Sequence, residues 1–107
     1  MARGIDGRTG QELGLNGEYA DRPAFQIVND AHQSFLLLTG RLISLEYGSF
    51  GEAVKNHPAW PQINVKRTAL AEKLLTLGGN AVYAAALSEE IRHLNEVISK
   101  LAGEWRN

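Results

Sequence analysis

The sequence predicts an all-α domain: three main helices plus one short helix in an elongated antiparallel bundle, preceded by a glycine-rich extended N-terminal arm. Three observations predict it. Apolar residues recur in alternating four- and three-residue steps across residues 24–45 and again across 84–105, which is the period of one helix face rather than the alternation of a strand. Prolines 58 and 61 and the pair Gly78-Gly79 punctuate the stretches between. An apolar fraction of 44% with 21% charged residues is that of an ordinary core-forming chain, and 107 residues suit one domain.

Residues 1–20 form the arm and residues 21–107 the helical domain. The arm holds five of the eleven glycines: Gly4, Gly7, Gly10, Gly14 and Gly17. Asp6-Gly7 and Asn16-Gly17 are turn signals, because these residues accept positive φ most readily. Leu15-Asn16-Gly17-Glu18 fits a tight hairpin, but its flanks are short, so mostly loop is expected.

Helix one is expected from Asp21-Arg22-Pro23, with Asp21 capping the first N–H groups, to about Tyr47, with Gly48 as a left-handed stop. Its seam is Ala24, Val28, Ala31, Phe35, Leu38, Leu42 and Leu45. A second row beside it carries Leu36, Leu37 and Ile43. Gly40, in the interior, is either a tolerated weakness or a mark of close approach by another backbone.

Ser49-Phe50-Gly51-Glu52 has the form of a capping box and predicts a short helix over 50–56. His57-Pro58-Ala59-Trp60-Pro61 then breaks it, since each proline disfavours helix at the residue before it. Helix two follows over 62–77, burying Ile63, Leu70, Leu74 and Leu77 with Arg67 interrupting, and stopping at Gly78-Gly79. Helix three covers 80–105 with Asn80 as N-cap. Ala84, Leu87, Ile91, Leu94, Ile98, Leu101 and Trp105 form its seam, and Glu96 stands four residues before Lys100.

Composition narrows the function classes. Eleven basic and twelve acidic side chains nearly cancel and are interspersed. No basic stripe of the kind nucleic acids require is present, so no nucleic-acid partner is expected, and no membrane-surface role either. The longest apolar run, Phe35–Leu38, is far short of a membrane span, and the first residues lack the apolar core of a signal peptide. With no cysteine, disulfides, thiolate metal sites and cysteine nucleophiles are excluded, and a reducing cytoplasmic location is expected.

Catalytic motifs are absent from the pattern. The chain has no Gly-x-Ser-x-Gly elbow and no Gly-Lys-Ser/Thr phosphate loop. Its N-terminal glycines do not follow a buried strand as a dinucleotide fingerprint would. Adjacent Glu89 and Glu90 diverge around their helix and cannot act as one acid/base pair. No cofactor is expected. Glu90-x-x-His93 is the one spacing with metal precedent, since a Glu and a His three apart on a helix ligate iron in carboxylate bundles. Such a site needs the pair twice, so a homodimer would have to supply it, with His32, Glu46 or Glu52 nearby. On the predicted helix, Glu90 only flanks the seam and His93 points away from it.

The leading expectation is therefore a non-catalytic interaction or assembly protein, docking on itself or on a larger complex, as a virion component, an accessory subunit or an inhibitor. The three stripes and the extra row on helix one exceed what a lone copy can hide, and an exposed apolar row is unusual in a monomer. The expected partner-binding residues are Leu36, Leu37, Ile43, Trp60 and Trp105, with the arm wrapping a neighbour; tryptophans are enriched at binding hot spots.

Overall fold

The computed structural model describes residues 8–106, with the side chains of residues 8–104. Its elements run in the order of two short 3-10 turns, Gln11–Leu13 and Gly17–Tyr19, then helices α1 (Ala24–Glu46), α2 (Gly51–Asn56), α3 (Trp60–Leu75) and α4 (Ala81–Arg106). The expected all-α bundle of three long helices and one short one is what forms. The molecule is elongated, 50 × 25 × 18 Å.

The long helices go up, down and up. Lys73 of α3 reaches Glu90 of α4, and further back along α3 Lys66 shares a groove with Val97, so α3 and α4 are antiparallel. By contrast, α1 and α4 run in the same sense: Ser34 lies beside Ser88 and Ile91, while Arg41, further along, donates to Asn95 Oδ1 at 3.3 Å and Ser99 Oγ at 2.8 Å. The seams meet in one core. Ala24, Val28, Ala31, Leu38 and Leu42 of α1 are buried with Ile63, Leu70 and Leu74 of α3 and Ala84, Leu87, Ile91, Leu94, Ile98 and Leu101 of α4. Phe35 and Leu45 are half-buried against that core. Short α2 closes the lower end by inserting Val54, which is fully buried.

Several ends differ from the sequence reading, each for a local reason. Asp21 does not cap α1: Pro23 is the N-cap, and no side chain bonds there. The first helical N–H, that of Ala24, instead donates to the Arg8 carbonyl at 2.9 Å, so the arm's backbone performs the capping. Gly48 does not take the left-handed backbone that its place suggests, since the described glycines with positive φ are Gly14, Gly17 and Gly78. Close packing explains Gly48 instead, because a Cβ there would stand 2.7 Å from the Ser44 carbonyl oxygen. The capping box of Ser49 and Glu52 does not form, and α2 begins after Phe50 with no side-chain cap. Helix α3 starts two residues before the expected place, with Trp60 helical and Pro61 in the first turn. That turn has spare N–H groups, so a proline costs nothing there.

Other ends agree with the sequence. Asn80 caps α4, its Oδ1 accepting the Tyr83 N–H at 3.0 Å. Gly78 turns the chain between α3 and α4 with φ +58°.

Residues 8–20 lie against their own bundle. Gly10 N–H donates to the Arg22 carbonyl at 2.8 Å, and Gln11 N–H to the Ala20 carbonyl at 2.9 Å, which folds the segment back along the start of α1. No hairpin forms at Asn16-Gly17. An isolated bridge joins Thr9 to Pro23, and Gly17 opens a 3-10 turn with φ +61°. Tyr19 is buried at the edge of the core. Gly4 and Gly7 of the arm lie outside the described residues.

Candidate functional site

Helix α1 has two apolar faces, and only one is covered. At 100° per residue, the core face centres on Leu38 and Leu42. On the far side of the same helix stand Phe25, Leu36, Ile43 and Tyr47, all exposed. Leu36 is 62% exposed and Ile43 51%, and Leu37, which flanks the row, is 75% exposed. Short helix α2 does not reach them. Val54 goes into the core, while Phe50 remains exposed.

This outward face carries no formal charge. Between the apolar residues it holds Gln26, Asn29, His32, Gln33, Gly40 and Ser44. The charged residues of α1 are Asp30, Arg41 and Glu46, and these sit on its flanks. Asp30 pairs with Arg22 at 3.1 Å, and Arg41 is bonded to α4. The outer faces of α3 and α4 are different in kind: Lys66 and Glu72 on the first, and Glu90, His93, Glu96 and Lys100 on the second, are exposed or ion-paired. Val65 and Leu75 are exposed on α3, but they are ten residues apart and make no row.

Gly40 is central to the outward face. Among the described residues, nothing beyond its own stretch of helix lies within four ångströms of a Cβ placed there. A glycine inside a helix costs about 1 kcal/mol relative to alanine, and no turn or close approach among the described residues requires it. The close approach weighed for Gly40 is therefore not made by any of the described residues.

The other expected partner residues divide. Trp60 is 7% exposed and packs in the core at the start of α3, where it stabilises the α2–α3 corner, so it offers no docking surface. Trp105 is on the last turn of α4, and its side chain is outside the described residues. Phe25 and Tyr47 were missed by the sequence reading, which looked beside the seam of α1 rather than opposite it. Their signal was present, since both fall on the row of Leu36 and Ile43 at helical spacing.

Glu90 and His93 are not brought together with further ligands. Glu90 accepts from Lys73 Nζ at 3.2 Å, and His93 is an exposed residue whose nearest acid is Glu96, at 3.9 Å. Among the described residues, no group of three or more His, Asp or Glu side chains stands close enough to hold a metal ion.

His57 has a structural setting. Its Nδ1 accepts the Ala59 N–H at 3.0 Å, which leaves the proton on Nε2, 3.2 Å from Glu104 Oε2. The imidazole therefore ties the α2–α3 corner to the end of α4.

The most strongly coupled polar group is where the arm meets α4. Tyr19 Oη donates to Glu89 Oε1 at 3.2 Å, Arg92 bridges Glu18 and Glu89, and Arg22 stacks over the Tyr19 ring at 5.8 Å. Burial raises the phenol pKa of Tyr19, and the negative charge of Glu89 raises it further. The hydrogen bond and charge of Arg92 hold the Glu18 carboxyl below the usual range. This is a latch holding residues 8–20 to the bundle, with no nucleophile or empty ligand set in it. No known protein family, curated protein or solved structure matches the chain.

Proposed function

We propose that this chain is a non-catalytic helical interaction protein that acts by docking the outward face of α1 onto another protein surface. One observation carries the reading: Phe25, Leu36, Ile43 and Tyr47, with Leu37 beside them, stand exposed on an uncharged strip along one helix. A large aliphatic side chain gains roughly 1.5–3 kcal/mol on full burial, so a strip of this kind is a binding surface in search of cover. An assembly component such as a virion subunit, an accessory subunit of a larger complex, or an inhibitor uses such a surface in the same way. Zero cysteines suit a reducing compartment, and we assign it to the cytoplasm. Among the described residues, no helix is long and apolar enough to cross a membrane.

The test uses an apolar fluorescent dye on the purified chain, at concentrations where light scattering reports a single copy. Dye binding is expected, and Leu36→Asp with Leu37→Asp should abolish it without changing helix content. A compact single copy that binds no dye overturns the reading.

A further inference from the structure

We propose that the cavity between α1 and α3 binds a small zwitterion, a free α-amino acid with an aliphatic side chain. Unmatched polar groups are the first observation. Glu46 of α1 and Arg67 of α3 line the same cavity. Both are half-buried, yet they do not reach one another, and neither makes an ion pair with any described residue. Charges withdrawn from water are normally paired, because their lost hydration has to be replaced. Thr39 has the same need. It lines the cavity too, and its Oγ1 is buried with no hydrogen-bond partner among the described residues, which is rare for a hydroxyl in a folded chain. Arg67 is also the residue that interrupts the buried row Ile63, Leu70 and Leu74 of α3, a position that folding alone does not explain.

The chemistry of the lining selects the ligand. Arg67 offers the planar fork of donors that suits a carboxylate, and the Thr39 hydroxyl is a further donor. Glu46 offers acceptors for an ammonium group. It is the last residue of α1, where the helix dipole also favours a cation. Asn64 gives its Nδ2 to the Trp60 carbonyl at 3.0 Å, which leaves its Oδ1 as another acceptor. A lone anion would match Arg67 and leave Glu46 unmatched, and a lone cation would do the reverse. A molecule carrying both charges matches both. The rest of the wall is apolar, formed by Trp60, Leu42 and Ile43, and suits an aliphatic side chain rather than a third charge. The cavity holds about 160 Å³, below the roughly 300 Å³ at which pockets for drug-sized ligands begin, so the ligand is small. Ile43 also belongs to the exposed strip of α1, but filling the cavity does not rest on docking there.

Isothermal titration calorimetry of the full chain with L-alanine, L-valine and L-leucine tests this. At least one is expected to bind with a dissociation constant of roughly 1 mM or tighter, the range open to so small a ligand. Each charge of that ligand is then removed in turn. Its amide keeps the ammonium without the carboxylate, its N-acetyl derivative keeps the carboxylate without the ammonium, and each should bind at least about ten-fold more weakly. These derivatives probe the unaltered chain, so their outcome does not depend on how a variant folds. Arg67→Gln and Glu46→Gln should weaken the free amino acid to a similar degree with helix content unchanged. Thr39→Val removes the unmatched hydroxyl, so it should weaken binding while leaving the unliganded chain at least as stable as the parent in urea. No binding of any of the amino acids overturns the proposal. An amide or N-acetyl derivative that binds as tightly as the free amino acid overturns it too, as does binding that Arg67→Gln leaves unchanged.

Discussion

Tyr19 carries the most consequential polar contact in the molecule, because its hydroxyl links the arm to α4 across seventy residues of chain. Its phenol titrates above the ordinary value near 10, since burial disfavours the phenolate and Glu89 repels it. A group with a raised folded pKa contributes stability below its unfolded pKa, and that contribution is lost as pH rises through the folded value. Residues 8–20 are therefore expected to loosen above about pH 10, seen as faster cleavage within that segment by an alkaline-stable protease of broad specificity. Tyr19→Phe should remove that alkaline step and cost about 1 kcal/mol at neutral pH in urea unfolding. Glu18 has the opposite sign: its lowered pKa adds support that is lost only as pH falls below the usual carboxylate range. It is exposed, so salt weakens the effect. Elsewhere at this scale, Glu90 is engaged by Lys73 and His93 faces outward. Elemental analysis of the purified chain is expected to find no transition metal that His93→Ala removes.

At the scale of elements, helix interiors were legible and helix ends less so. Ile91, Leu94, Ile98 and Leu101 announce α4 by period alone, and all are buried. Periodicity sums over many turns, so no single substitution obscures it. A cap depends on one atom finding one N–H, and the rest of the chain can supply that partner first. At α1 the Arg8 carbonyl takes the role expected of Asp21, a contact no local pattern encodes. Asn80 succeeds because the partner it needs, the Tyr83 N–H, is supplied three residues along by its own helix. Asn80→Ala should therefore cost about 1 kcal/mol in thermal or urea unfolding, whereas Asp21→Ala should cost far less. Gly40→Ala offers the reverse case. With open space among the described residues where its methyl would stand, it should stabilise the fold by up to about 1 kcal/mol in urea unfolding.

The whole molecule shows what the sequence could and could not say about the site. The surplus of apolar surface on α1 was legible as a count: more large side chains than one seam accommodates. Its position was only partly legible. Leu36, Leu37 and Ile43 stay exposed as a row, but Trp60, with the same hydrophobic character, closes the core instead. Which of the two happens depends on the direction in which α3 leaves its corner, and His57, Pro58 and Pro61 fix that direction only in three dimensions. The two faces of α1 can be separated in one experiment. Leu38 is fully buried in the core, so Leu38→Ala leaves a cavity and is expected to cost about 2–5 kcal/mol. Leu36→Ala removes a side chain that its own fold does not cover, and in dilute solution it should stay within about 0.5 kcal/mol of the parent. Unfolding curves of the two variants beside the parent, read together with the apolar dye that the parent is expected to bind and that Leu36→Asp with Leu37→Asp is expected to lose, would assign the inner face to folding and the outer face to docking.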